Sequence, residues 1–257
     1  MRVSRVLSCL VLLLSPMVWA CSLNIAYSDV ASPPHLMGDG PAIPEPPGIA
    51  VELVQHAADA LRCSVKWQRL PNRRVQRDME MGLLDAMLMF SYNEERAAYA
   101  VYPMKDGKPD GRLRLAELRY HVYVADSSPL VWNGKQFEPL PATVGVNSGY
   151  SILADLKKMG LVVEESRSTE QNFQKLRLGR IDAYVMQDAP ADLVLETMNI
   201  RGVHKLPVPL SAKDYFLPFS KAFYKTSPEV AERMWEEIGK ASRSHLKELT
   251  KKYSDAH

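Results

Sequence analysis

The stretch that decides the fold is Gly82-Leu83-Leu84-Asp85-Ala86-Met87-Leu88-Met89, which recurs as Gly179-Arg180-Ile181-Asp182-Ala183-Tyr184-Val185-Met186. The two octapeptides share Gly, Asp, Ala and Met at matching places. Each follows a helix-like segment, and each is typical of a glycine that ends a helix before a buried strand. The repetition indicates two lobes built alike, although a match of this length also arises by chance in an α/β chain.

Strand-like and helix-like runs alternate through the rest of the chain, which predicts an α/β protein with largely parallel sheets. Residues 53–61 carry Leu53, Val54 and Ala57 on one helical face. Ser168 begins a capping box, and Ser227 precedes the last long helix. In open sheets of this class, ligands bind beyond the carboxyl ends of the strands. The loops after the strands are therefore the candidate site.

The first twenty residues predict a secretory signal peptide. Arg2 and Arg5 precede an apolar run at 6–14, and a small-residue exit ends at Ala20. The run is too short to span a bilayer, so we expect a periplasmic protein that starts near Cys21. Removing this leader takes two of the 32 basic residues and none of the 30 acidic ones, which leaves a formally neutral chain. A neutral chain argues against nucleic acid as a partner.

Two cysteines remain after the leader, Cys21 and Cys63. Each directly precedes a predicted strand, with one helix-like segment between them. Adjacent parallel strands lie about 4.8 Å apart, so cysteines at both starting ends can form a disulfide, which persists in an oxidising compartment. The alternative is a lipid anchor on Cys21, but Trp19 fits that signal poorly and Cys63 would then be unpaired.

Charged and glycine-containing loops supply the candidate ligand contacts. Arg96 offers a two-pronged donor to a carboxylate, and residues 149–151 offer backbone N–H groups at a helix start. Asp188 offers an acceptor for an ammonium, so together they predict a trap for a zwitterion. The alternatives are structural: Arg96 pairs with Glu94 or Glu95, and Asp188 caps the following helix.

Short motifs spread over nearly the whole chain after the leader resemble family 3 of the bacterial extracellular solute-binding proteins. Their order and spacing carry the resemblance, and they are Gly48 to Leu53, Leu70 to Arg74, Gly82 to Asp85, Ser91 to Arg96 with Tyr102-Pro103, Val144 to Val146 with Gly149, Gly179 to Ala183, and Lys252-Tyr253.

The resemblance implies a type II periplasmic-binding fold, with two lobes that are each a mainly parallel sheet flanked by helices. The chain would cross twice between them, near 119–124 and 214–219. Lobe 1 would then comprise 21–120 plus 216–257, and lobe 2 would comprise 121–215.

The resemblance also implies roles for four residues. Arg96 would grip the ligand carboxylate, Ser91 would support it, and Tyr150 and Ser151 would close on it from lobe 2.

Several positions depart from the family pattern. Met89 replaces a small hydroxyl residue, and Gln187 stands where relatives that bind amino acids carry an acid, with Asp188 one residue late. Ala31, Pro34 and His35 replace an aromatic lid, and residues 105–114 look like an insertion. These departures put a standard α-amino acid ligand in doubt. Arg74 is a candidate second cation, with a surface ion pair as its alternative role.

The resemblance implies a monomer that delivers a small polar or charged metabolite, an amino acid or related carboxylate, to an inner-membrane ABC permease. One alternative is an enzyme on the same scaffold, for which His35 in the predicted cleft mouth is the residue to test. Another is a sensing module for a membrane receptor. The histidines show no metal-binding spacing, and we expect neither a cofactor nor a metal.

Overall fold

A computed structural model describes residues 21–254, so the predicted signal peptide at 1–20 lies outside the described residues. The strands are β1 Cys21–Ser28, β2 Cys63–Leu70, β3 Ala86–Met87, β4 Phe90–Ser91, β5 Ala100–Val101, β6 Met104–Lys105, β7 Lys108–Pro109, β8 Ala116–Ala125, β9 Val131–Trp132, β10 Phe137–Glu138, β11 Val144–Asn147, β12 Val163–Ser166, β13 Ala183–Gln187, β14 Val203–Lys205, β15 Ser211–Phe216 and β16 Phe219–Ser220. The helices are α1 Ile49–Ala60, α2 Asn72–Glu80, α3 Glu94–Ala97, α4 Ile152–Lys158, α5 Thr169–Arg177, α6 Asp188–Thr197, α7 Lys221–Thr226 and α8 Pro228–Ser254, with a 3₁₀ turn at Gly111–Leu113.

The first sheet has the order β2-β1-β3-β16-β5 and carries helices on both faces. Alternate residues of β1 point to opposite sides, as the pleat requires. Leu23 and Ile25 pack with α1 and α8, whereas Ala26 packs with Val75 and Met79 of α2. The result is a three-layer lobe.

The second sheet has the order β12-β11-β13-β8-β15-β4, with β14 added beside β8. Here β13 shows the same alternation. Ala183 and Val185 join a core with α4, whereas Tyr184 and Met186 join a core with α5 and α6. Both lobes are therefore sheets between helices, which confirms the predicted α/β class.

The sheets are mixed, and this corrects the expectation of mainly parallel sheets. Strands β1, β2 and β3 are parallel to one another, as are β11, β12 and β13. Strands β16 and β8 then run antiparallel to these triplets. The reason is that the chain returns through each sheet on its way between the lobes, and a returning strand runs in the opposite direction.

Strands β8 and β15 pair antiparallel and link the two lobes. Ala116 of β8 and Tyr215 of β15 belong to the core of the first lobe. Tyr120 of β8 belongs to the core of the second lobe, and Leu210, just before β15, packs against it. The two strands therefore form a paired hinge.

Strand β8 contains the crossover predicted at 119–124, and β15 ends within the crossover predicted at 214–219. The exact lobe boundaries stay predictions.

Cys21 and Cys63 form the predicted disulfide, with their Cα atoms 4.4 Å apart. They are register partners at the start of the parallel pair β1 and β2. Because the bridge uses the sulfur of Cys21, this sulfur cannot carry a lipid in the bridged form.

None of the helices within residues 21–254 combines the length and the apolar composition needed to cross a bilayer.

Candidate functional site

An inner cavity of about 30 Å³ lies between the lobes, beside the hinge strands. Four predicted site residues line it: Arg96, Tyr150, Ser151 and Gln187. Among the residues that line it, Arg96 is the one with a charged side chain. The structure thus brings together the side chains predicted to meet a carboxylate, although their roles in binding stay predictions.

Arg96 is held in place by a capped turn and by the first lobe. The side chain of Asn93 accepts the backbone N–H of Arg96 and begins α3. The guanidinium lies over the Phe90 ring, 4.9 Å from its centroid. Its Nη1 donates to the carbonyl oxygen of Ser91 over 2.7 Å, and its Nη2 donates to the carbonyl oxygen of Gly149 over 3.0 Å. Arg96 therefore connects the two lobes.

The charge of Arg96 has no acidic partner among residues 21–254. The residue is 3% exposed, and its buried Nε–H also lacks an acceptor within that range. No ion pair forms with Glu94 or Glu95, which was the alternative interpretation. A buried charge without a counter-charge is costly, so this guanidinium is suited to an anion brought from outside.

A second set of contacts closes the lobes over the cavity. The hydroxyl of Ser91 donates to that of Ser151 over 2.7 Å. The carbonyl of Gly149 accepts from Gln76 Nε2 over 3.0 Å as well as from Arg96. Gly149 has a φ of 77°, and a Cβ there would lie 3.0 Å from the Cβ of Asn72. A side chain at this position would keep the lobes apart.

Tyrosines and an amide complete the polar lining. The hydroxyls of Tyr120 and Tyr215 lie 2.7 Å apart, and Gln187 Nε2 donates to the Tyr215 hydroxyl over 2.6 Å. The hydroxyl of Ser32 donates to Gln187 Oε1 over 3.3 Å. Burial raises the pKa of Tyr120, Tyr150 and Tyr215 above the ordinary tyrosine value. These phenols stay protonated at neutral pH and offer uncharged donors.

A larger outer chamber of about 930 Å³ adjoins the inner cavity. The two share Val30, Asn72 and Tyr150 in their walls. Asp29 and Asp39 line the outer chamber but not the inner cavity. The head of a ligand at Arg96 therefore has a route along which its remaining atoms extend.

Four predicted site residues do not line the inner cavity: Ser91, whose hydroxyl contacts Ser151, and Asp188, Arg74 and His35. Asp188 begins α6, and its Oδ2 lies 3.7 Å from His121 Nε2. Its Oδ1 accepts the N–H of Ala189, which is close to the structural alternative of a helix start. The zwitterion trap predicted from Asp188 is thus not assembled. Gln187, the last residue of β13, lines the cavity, whereas Asp188, the next residue, does not.

Arg74 and His35 lie elsewhere as well. Arg74 is exposed and pairs with Asp78 at 3.5 Å, the surface role given as its alternative. Burial lowers the pKa of His35 to about 4, so its imidazole is neutral at physiological pH.

The sequence interpretation missed Arg73. Its Nε donates to the Ser148 hydroxyl over 2.7 Å, and its Nη2 contacts the Glu165 carboxylate at 2.5 and 2.6 Å. We call this cross-lobe contact of Arg73, Ser148 and Glu165 the latch. Arg73 and Arg74 are adjacent at the start of α2, and nothing in the sequence indicates which of the two side chains faces the other lobe. Tyr120 and Tyr215 were not predicted as cavity residues, because tyrosines are common in strands and nothing in the sequence distinguishes these two.

Comparisons based on sequence give no match, neither to a protein-family model nor to a curated protein. Comparison of structures does give matches. A histidine kinase sensor domain with similarity to periplasmic binding proteins superposes with a TM-score of 0.72 at 14% identity, covering 91% of this chain and 96% of that one. The fold is that of a periplasmic binding protein.

Two further neighbours of this fold are binding proteins for small molecules. The arginine-, lysine-, histidine-binding protein ArtJ from Geobacillus stearothermophilus has a TM-score of 0.70 at 16% identity, covering 90% of this chain and 94% of ArtJ. A substrate-binding protein of an ABC uptake transporter from Streptococcus pneumoniae, with bound histidine, has a TM-score of 0.65 at 15% identity, covering 90% and 92%. Identities this low establish the periplasmic-binding-protein fold alone.

Proposed function

We propose that this chain is an exported solute-binding protein that closes its lobes on a small carboxylate and delivers it to an ABC-type permease. The observation that carries the proposal is Arg96, a buried guanidinium between the lobes without an acidic partner in residues 21–254. A ligand carboxylate supplies the missing counter-charge and a planar match to the guanidinium. Ser91, Tyr150, Ser151 and Gln187 then offer the surrounding polar contacts.

Closure depends on contacts that only the closed form makes. A ligand shifts a hinge equilibrium when it contacts the closed state better than the open one. Arg96 stands on the first lobe and reaches Gly149 on the second. A carboxylate held between Arg96 and the start of α4 contacts both lobes at once, with lobe 1 at 21–120 plus 216–257 and lobe 2 at 121–215.

Export and a binding role without turnover complete the proposal. The leader-like residues 1–20 and the Cys21–Cys63 disulfide favour an oxidising compartment outside the cytoplasm. The residues that line the inner cavity include no His, Asp, Glu, Cys or Lys, and burial raises the pKa of the lining tyrosines, so that their phenols stay protonated at neutral pH. This lining favours capture over catalysis, and a monomer suffices because both halves of the site lie on one chain.

A sensing role is the second candidate, favoured by the likeness to a histidine kinase sensor domain. The two candidates differ in the partner that reads the closed form, a permease or a membrane receptor. Deleting the gene separates them: a transport protein is needed for uptake of its ligand, whereas a sensor is needed for a transcriptional response while uptake persists.

A thermal-denaturation screen of the exported chain against small carboxylates, amino acids and polyamines tests the binding role. A ligand at about 100 times its Kd adds about 2.7 kcal/mol to the free energy of unfolding. We expect carboxylates to raise the melting temperature and polyamines to leave it unchanged. Arg74→Met should keep the response, because Arg74 lies outside the cavity. A screen in which no carboxylate raises the melting temperature contradicts the proposal.

A further inference from the structure

The lining of the inner cavity carries one charged side chain, so it can neutralise one charge of a ligand. Arg96 brings one positive charge, and no carboxylate lines the cavity to oppose a second one. A ligand carboxylate beside Arg96 makes the pair neutral. An α-ammonium on the same ligand would lie one or two bonds from that carboxylate, inside the cavity, and would leave a net positive charge away from water. Such a charge is costly unless it is paired.

Gln187 is an uncharged amide in the wall of the inner cavity, at the end of β13. Its amide is 3% exposed, and both of its ends have partners. Oε1 accepts from Ser32, and Nε2 donates to Tyr215. An ammonium arriving here would meet an uncharged amide and phenol hydroxyls, not a carboxylate. Asp29 and Asp39 line the outer chamber and not the inner cavity.

From this lining we infer that the ligand is a carboxylate that lacks an α-ammonium group, and that Gln187 is the residue that sets this specificity. The inference rests on the proposed function and names its substrate class. The carboxylate lies at Arg96 in the inner cavity, and the rest of the molecule passes Tyr150 and Asn72 into the outer chamber. A tail that ends there is solvated, so its own charge does not decide the affinity.

Four compounds with the same six-carbon chain test the inference by isothermal titration calorimetry on the exported chain. Lysine and 6-aminohexanoate differ only in the α-ammonium, and so do norleucine and hexanoate. We expect the member without the α-ammonium to bind at least about tenfold more tightly in both pairs, because it avoids an unpaired buried charge.

The variant Gln187→Glu supplies an acid of the same shape. It should reverse the preference, so that lysine and norleucine bind more tightly than their partners. Gln174→Glu is the matched control, because it adds the same charge on the exposed face of α5. If Gln187→Glu does not fold, the two pairs on the unaltered chain still decide the question.

Each outcome has one meaning. Tighter binding of lysine and norleucine to the unaltered chain, or equal affinity within the pairs, overturns the inference and leaves the proposed carboxylate-binding function in place. An unchanged preference in a folded Gln187→Glu variant overturns the role of Gln187. Absence of binding by all four compounds contradicts the inference and the proposed function together.

Discussion

The two copies of the repeated octapeptide perform the same structural task in the two lobes. Gly82 and Gly179 end their helices with φ of 68° and 65°. The carboxylate of Asp85 accepts the N–H of Asn24 over 2.7 Å. That of Asp182 accepts the N–H of Ala142 over 2.7 Å and of its neighbour Thr143 over 2.9 Å. Each aspartate thus anchors the strand beside its own, and the repeat is structural rather than accidental.

The copies differ at their last residue, and the difference creates the site. Met89 has a φ of 64° and bends the chain out of the first sheet into β4, which joins the second. Met186 stays within β13, which runs straight into Gln187. The first copy is therefore followed by β4 and then by Arg96 in α3, whereas the second copy is followed directly by the uncharged amide of Gln187. Shared residues build the scaffold, and the chemistry lies where the copies diverge.

The largest expected difference between the copies concerns the strand pair beside each one. In the first lobe the pair β1 and β2 starts with the Cys21–Cys63 bridge, whereas in the second lobe β11 and β12 start with Val144 opposite Val163. Replacing both cysteines by serine should lower the free energy of unfolding by about 4 kcal/mol, since the bridge closes a long loop.

Chemical denaturation of the oxidised chain measures this loss, and reduction of the unaltered chain should reproduce it. The affinity for carboxylates should not change, because the bridge lies outside the cavity lining. A loss below about 1 kcal/mol would show that the first lobe does not depend on its bridge.

The two methionines should respond differently to glycine. Met186 is fully buried in a regular strand, so Met186→Gly should cost about 3–5 kcal/mol through the cavity it leaves. Met89→Gly loses buried surface too, but it relieves a left-handed backbone that an L-residue adopts at a cost of about 1–2 kcal/mol. We expect the Met89 variant to lose at least about 2 kcal/mol less in urea denaturation. Equal losses would mean that Met89 is not strained.

The smallest expected effect belongs to the latch. The Arg73 side chain is 61% exposed, so its ion pair with Glu165 contributes only about 0.5–1 kcal/mol to closure. Arg73→Met should therefore weaken carboxylate binding about two- to fivefold in calorimetry. Arg74→Met, one residue along the same helix, should leave the affinity unchanged. If Arg73→Met lost as much carboxylate affinity as an Arg96 variant, the main determinant of binding would lie at the latch and not in the inner cavity.

The latch also predicts the direction of a pH effect. Partial burial alone would raise the pKa of Glu165, but hydrogen bonds from Arg73 and Ser148 outweigh it and lower the pKa below the ordinary value of 4.5. A carboxylate with a lowered pKa stabilises the folded, latched form above its ordinary pKa, and this contribution is lost as the pH falls below it. Affinity should therefore decline on acidification below about pH 4.5 less steeply in Arg73→Met than in the unaltered chain.

Local patterns were enough to predict some of these features. The glycine–aspartate repeat and the cysteines before two strands predicted the lobes and the disulfide, because backbone and register determine both. Arg96, Tyr150 and Ser151 were predicted because they follow strand ends, and all three line the inner cavity, although their roles in binding stay predictions. Asp188 was misplaced because a side chain one residue past a strand end reaches a different face, and sequence spacing does not give that direction.

The residues that join the lobes could not be predicted in the same way. The side chain of Arg73 and the phenols of Tyr120 and Tyr215 meet groups far away in the chain. Their roles depend on how two separate lobes approach each other. Periodicity describes one element at a time, so it carries no information on contacts across a hinge.

The central claim is that no acidic group within residues 21–254 balances the charge of Arg96, which is therefore suited to an external anion. The free energy of unfolding of Arg96→Met without ligand tests it most directly. The carbonyls that Arg96 contacts keep other donors, Tyr102 on Ser91 and Gln76 on Gly149. We therefore expect the variant to be as stable as the unaltered chain or up to about 4 kcal/mol more stable, while carboxylate binding is lost. A loss of about 3–5 kcal/mol would show that Arg96 is a satisfied structural residue and would contradict the account.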